Sequence, residues 1–256
     1  RYRLVGSEMC IRDRYNVDVQ VTDSTGNTYT ETITINLNDL QETHNLANGG
    51  VTFTDQGDAG DIINGGTGND TITGDTGDNT IDGAAGDDTI AGGLGNDTLD
   101  GGAGFDTLDH SASNAAVNVD LATGLTSGGH AQGDTISNFE AITGSSFDDN
   151  LDGDAAVNLI DGGAGNDTLR GNAGDDRLIG GAGDDTIDGG ADDDQIFGGS
   201  GADTLDGGSG SDLLRYTNDT TGVNVDIGAN TASGGEAQGD VISNFEHLEG
   251  LSLIHI

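Results

Sequence analysis

The strongest constraint on this chain is a period of nine. GGTGNDTIT at 65–73 is followed without a gap by GDTGDNTID, GAAGDDTIA, GGLGNDTLD and GGAGFDTLD, ending at Asp109. A second run begins with the degenerate units GSSFDDNLD at 144 and GDAAVNLID. It continues from GGAGNDTLR to GGSGSDLLR, ending at Arg215. The segment between the runs recurs after the second one at an offset of 106, visible as VNVDL against VNVDI and AQGDTISNFE against AQGDVISNFE. Such self-similarity describes a tandem array of short units that stack on one another. Each unit divides into six Gly-rich residues and three residues whose middle position is aliphatic, as at Ile72, Ile81, Ile90, Leu99, Leu108, Leu169, Leu178, Ile187, Ile196, Leu205 and Leu214. Alternate residues of a strand face opposite ways, so three residues with one apolar centre make a very short strand with a single inward side chain. The glycines permit the left-handed backbone of a tight turn. Stacked units then give parallel strands in two small sheets around a thin aliphatic core.

One inward residue in nine is little cohesion, and the charge works against it. Asp and Glu number 46 against seven basic residues, all Arg, for a formal net charge of −39. That excludes a phosphate-binding surface, so no nucleic-acid partner is expected; the partner should be cationic. No apolar run is long enough to insert in a membrane, and one Cys permits no internal disulfide. High charge with 32% hydrophobic residues would leave the chain near the disordered class unless counter-ions intervene. Stacking the units piles up their sixth-position carboxylates: Asp70, Asp88, Asp97, Asp106, Asp167, Asp176, Asp185, Asp194, Asp203 and Asp212. Their repulsion demands cations. Carboxylates beside exposed turn carbonyls suit Ca²⁺, which takes six to eight oxygen ligands.

The units match GGxGxDxUx and resemble the RTX, or hemolysin-type, calcium-binding nonapeptide repeat, strongly over 65–109 and 162–215. The resemblance implies a parallel β-roll with two nonads per turn, each ion lying between adjacent turns. It implies glycine-turn carbonyls as ligands beside the repeat Asp: Gly66, Gly68, Gly93, Gly95, Gly102, Gly104, Gly163, Gly165, Gly181, Gly183, Gly199, Gly201, Gly208 and Gly210. Departures weaken particular sites. Asn79 replaces the carboxylate, Asp75, Ala84 and Asn172 replace the second Gly, and Asp192 replaces the fourth. Asp61, Asp149 and Asn158 lie in degenerate units and rank low. A solvated Gly/Asp-rich linker would not keep an aliphatic residue in phase through so many units.

The segments between and after the runs alternate as strands that continue the stack, with Val117, Val119, Leu121, Ile136, Phe139 and Ile142 matched by Val223, Val225, Ile227, Ile242, Phe245 and Leu248. They resemble linking segments between RTX blocks of secreted proteases and adhesins. Asp134 and Asp240 follow Gly and read as turn formers. Residues 15–37 alternate around DSTGN, which describes a β-hairpin; YNVDVQVTDSTGNTYTETITINLNDLQE resembles the last strands of a cadherin-like or immunoglobulin-like repeat. Both termini read as foreign. Residues 5–14 and 251–256 can be encoded by reverse-complementary DNA, which resembles a transposon-end adapter used in sequencing libraries, and a targeting peptide would need an apolar stretch after the basic start.

The chain therefore divides as 1–14 adapter-derived, 15–42 hairpin and linker, 43–109 first roll block, 110–143 spacer, 144–215 second roll block, 216–250 second spacer copy and 251–256 adapter-derived. The fold class is all-β: a calcium-stabilised parallel β-roll with a truncated β-sandwich hairpin. No HExxH or GxSxG motif is present, and His110 and His130 align with Tyr216 and Glu236 in the duplicate, so the histidines read as surface residues and the chain as a non-enzyme. The function expected is extracellular Ca²⁺ binding coupled to folding, in a bacterial secreted or cell-surface protein. The resemblance implies passage through type I secretion machinery, with the C-terminal export signal lying beyond Gly250. Two wider contexts fit: a structural part of an adhesin that meets a cell-surface or matrix ligand through other domains, or the non-catalytic tail of a secreted protease or lipase.

Overall fold

The computed structural model describes the backbone of residues 14–22 and 28–36, and residues 41–55, 57, 60–216 and 222–250 with their side chains. The turn of the hairpin and both adapter-like ends, apart from Arg14, lie outside the described residues. The strands Arg14–Thr22 and Thr28–Asn36 pair antiparallel, with Tyr15 opposite Ile35 and Val21 opposite Tyr29, in a two-stranded sheet of their own.

Among the described residues, all other strands belong to two stacked sheets of 10 and 14 strands. Each nonad contributes one strand and then turns into the opposite sheet, so a strand pairs in parallel with the strand two nonads on. Thr71 stands opposite Thr89, and Thr80 opposite Thr98. This is the parallel β-roll with two nonads per turn that the resemblance implies.

The eighth position of every nonad points between the sheets. Ile72, Ile90, Leu99, Leu169, Leu178 and Leu205 have no exposed surface. Position seven faces out, with Thr71 and Thr98 exposed and Thr89 half-buried. Position nine faces out as well, with Asp82, Arg170 and Asp188 exposed and Thr73, Ala91 and Asp100 half-buried. Strands above and below lie about 4.8 Å away and cover part of each outward side chain. The degenerate units keep the same register: Ile63, Leu151 and Ile160 join the inward column without exposed surface.

Second-position residues close the turns in left-handed backbone. Gly181 has φ +107°, and a Cβ there would run into the carbonyl of Gly163 one turn below. Ala84 and Asn172 hold the same sign of φ there, at 71° and 78°, and Asp192 holds it at the fourth position, at 79°, despite carrying side chains, so these departures leave the turn shape intact. Asp75 solves the turn differently, its Oδ1 accepting the N–H of Gly77 at 2.7 Å.

The spacer does not separate two rolls. The 10-stranded sheet passes straight through it, with Leu108 beside Ile142 and Ile142 beside Ile160. The 14-stranded sheet gains the strand Leu125–Ser127, antiparallel to both neighbours, and Thr231–Ser233 does the same in the second copy. Val117, Val119, Ile136, Phe139 and Ile142 extend the core through this region, as do Val223, Val225, Ile242 and Phe245 in the duplicate.

Candidate metal centre

The turns place every sixth-position Asp just before a strand, with its side chain folded under the sheet end. One carboxylate oxygen of each accepts the backbone N–H of the residue one turn below. On one side of the roll, Asp70 and Asp88 donate to Asp88 and Asp106, both at 2.7 Å, and Asn158, Asp176 and Asp194 donate to Asp176, Asp194 and Asp212 at 2.7, 2.9 and 2.9 Å. On the other side, Asn79 donates to Asp97, and Asp149, Asp167 and Asp185 donate to Asp167, Asp185 and Asp203, at 2.8 to 3.0 Å. Val51 likewise donates to Asp70 at 2.6 Å. The result is two ladders of carboxylates running up the roll.

The second oxygen of each carboxylate is the informative one. In Asp70, Asp88, Asp97, Asp106, Asp167, Asp176, Asp185, Asp194, Asp203 and Asp212, Oδ2 is buried and has no hydrogen-bond partner; none of the ten residues is more than 2% exposed. Each such oxygen faces the first glycine of its own nonad. A Cβ on Gly83 would lie 2.5 Å from both Asp88 Oδ2 and the carbonyl oxygen of Gly101 one turn on. A Cβ on Gly162 would meet Asp167 Oδ2 at 2.5 Å and the Gly180 carbonyl at 2.8 Å. Carboxylate and carbonyl oxygens thus converge on small cradles that a single methyl group would fill.

Leaving a buried carboxylate oxygen without a partner costs several kcal/mol on the order expected for unpaired buried charge. Burial accordingly pushes Asp97, Asp176, Asp185 and Asp194 up to about 7 and Asp106, Asp167 and Asp203 up to about 6, and raises Asp88 and Asp212. The backbone N–H each accepts opposes this and loses; neighbouring carboxylates add to the rise. These groups need either protons or cations. An all-oxygen donor set with some freedom of geometry fits Ca²⁺.

The second and fourth glycines named from the sequence line the same inter-turn gaps. The Gly163 carbonyl lies against Gly181, that of Gly181 against Gly199, and that of Gly165 against Gly183, with Gly68, Gly86, Gly183 and Gly190 set likewise against Gly86, Gly104, Gly201 and Gly208. The group beside the free carboxylate oxygen is nonetheless the first glycine, at Gly83, Gly162, Gly180 and their equivalents, which the sequence reading left out. Asn79 shows what replaces a carboxylate. Its Nδ2 donates to the carbonyls of Gly77 at 3.0 Å and Gly92 at 3.5 Å, so a neutral amide satisfies oxygens that face an anion elsewhere.

Several ladder members escaped the sequence reading. Asp134 and Asp240, read as turn formers, are buried and accept the N–H of Asp97 at 2.9 Å and of Asp203 at 3.0 Å. Glu140 and Glu246 accept those of Asp106 and Asp212 through Oε2, both at 2.9 Å. The low-ranked Asp61, Asp149 and Asn158 are buried in the same ladders. The available signal was position: each stands immediately before a short strand. His110 is a correction, since only 2% of it is exposed and burial holds its imidazole near 4, hence neutral at pH 7. His130 is half-buried. In the duplicate, Tyr216 occupies the position of His110 and donates to Asp240 Oδ2 at 2.7 Å; the shorter imidazole makes no such bond, and Asp134 Oδ2 has no hydrogen-bond partner.

The profile of the RTX calcium-binding nonapeptide repeat matches this chain in four copies, over residues 55–90, 73–108, 143–178 and 179–214. No curated protein matches the chain. Among the described residues, no helix is long and apolar enough to cross a membrane.

Proposed function

Over residues 55–108 and 143–214 the chain belongs to the RTX calcium-binding nonapeptide repeat family, a structural repeat that binds Ca²⁺ at several sites, and from this premise we propose that ion binding at the turns is what folds the roll. The observation that carries the reading is the set of ten buried carboxylate oxygens without hydrogen-bond partners, each beside a glycine of the turn. Where Ca²⁺ is scarce the acidic chain stays expanded; at the millimolar levels outside cells it condenses. A chain with this property can leave a cell unfolded through type I secretion machinery and become a rigid spacer once outside.

The role is structural and non-catalytic: the acidic groups repeat one environment, whereas acid–base catalysis needs two that differ. The ligands are Asp70, Asp88, Asp97, Asp106, Asp167, Asp176, Asp185, Asp194, Asp203 and Asp212, with carbonyls of the adjoining turns. The wider setting is a secreted bacterial adhesin, favoured by the antiparallel hairpin that precedes the roll. Equilibrium dialysis of the full chain against Ca²⁺ tests the binding claim; several ions per chain support it and none overturns it. The flanking reading frame tests the setting. Tandem sandwich repeats upstream support adhesion, and a protease or lipase domain replaces it with a hydrolase tail.

A further inference from the structure

The first turn of the roll breaks the rule that fills the inward column. His44, in the strand Thr43–Asn45, pairs beside Ile63, which pairs in turn beside Ile81. An imidazole therefore occupies a place that other nonads give to Ile or Leu, and it rests on the Phe53 ring at 4.9 Å between centroids. Its Nε2 is shielded from solvent and makes no hydrogen bond. Around that nitrogen stand Glu42 Oε2 at 3.7 Å, Asp61 Oδ2 at 3.7 Å and Asp55 Oδ1 at 4.0 Å. One donor atom from each of His44, Asp55 and Asp61 falls within 4.8 Å of the others.

These residues do not form another calcium turn. The Oδ2 of a regular ladder Asp faces a glycine, whereas that of Asp61 faces the imidazole. Asp61 is held by its other oxygen, which accepts the Glu42 N–H at 2.6 Å. Calcium takes oxygen ligands and makes little use of an imidazole, while zinc-class ions bind one readily beside carboxylates. A tetrahedral ion with bonds of about 2.0–2.1 Å spaces its ligands roughly 3.3 Å apart. The imidazole-to-carboxylate distances of 3.7 and 4.0 Å are wider than that, and the three donors lie within 4.8 Å of one another, so the side chains would have to close around an ion.

We propose that His44, Asp55 and Asp61, with the exposed Glu42 as fourth donor, form a site for a zinc-class divalent ion at the N-terminal end of the roll, separate from the calcium turns. Such an ion ties the strands Thr43–Asn45 and Thr52–Thr54, which end their sheets among the described residues, to the next turn. This proposal does not rest on the calcium reading.

The test is calorimetric titration of the full chain with Zn²⁺ in millimolar Ca²⁺, repeated with Co²⁺ to read visible absorption. One ion per chain, with the intense d–d bands of tetrahedral Co²⁺, is expected. His44→Phe should abolish those bands and weaken Zn²⁺ binding about tenfold or more, while Ca²⁺-dependent circular dichroism stays unchanged. If His44→Phe disturbs that dichroism, Asp55→Asn decides, and it should weaken Zn²⁺ binding in the same direction. Absence of binding, or binding equal in wild type and Asp55→Asn, overturns the site.

Discussion

At Asp185 one oxygen accepts the Asp167 N–H at 2.8 Å and the other is buried without a hydrogen bond. Three residues on, Asp188 faces solvent. Asp185→Ala should therefore raise the Ca²⁺ midpoint of folding roughly severalfold, because ligand charge sets affinity, and Asp188→Ala should leave it nearly unchanged. Fluorescence or dichroism titrations of the two variants check this. The same buried carboxylates fix a pH dependence. Their folded values lie near 6 to 7, above about 3.9 for an unfolded Asp, so the metal-free fold binds more protons than the unfolded chain across that window. Its stability is fully present below about pH 4 and is lost as pH rises through 6 to 7. Thermal melts in chelator should show higher midpoints at pH 5 than at pH 8, and the Ca²⁺ midpoint should rise as protons compete below pH 7. The ladder Asp residues are legible in sequence because each recurs on the nine-residue phase. Asp134 and Glu140 are not, since they take their N–H donors from 37 and 34 residues away instead of 18.

A nonad is half a turn, and its stability comes from the units above and below it. Leu178 sits in the middle of the inward column with no exposed surface. Leu178→Ala should cost about 2–5 kcal/mol in the Ca²⁺-loaded chain, the range for cavities in packed cores. Leu125 lies on the antiparallel spacer strand and is 69% exposed; Leu125→Ser should change stability by less than about 0.5 kcal/mol. Denaturant unfolding in Ca²⁺ measures both. Alternation along the spacer shows which residues are buried, and Val117, Val119 and Ile136 are indeed in the core. It carries no information on strand direction, so the reversal at Leu125–Ser127 was not legible. Nor was the capping imidazole at His44, because the units before 65 lack the glycine spacing that would reveal their phase.

For the whole molecule, a net charge of −39 acts on a core one side chain wide. Each Ca²⁺ removes two charges and bridges successive turns, and the two sheets pass through the spacer without a break. Ordering should therefore be cooperative along the stack. Magnesium should substitute poorly, since it demands small octahedral sites and keeps its water. The deciding measurement is far-ultraviolet circular dichroism of the full chain at pH 8 and low salt during a Ca²⁺ titration from chelator. The account predicts a largely unfolded spectrum in chelator and a steep transition to β-structure at calcium levels approaching millimolar, with no comparable transition in Mg²⁺. Full β-structure in chelator at that pH would contradict it.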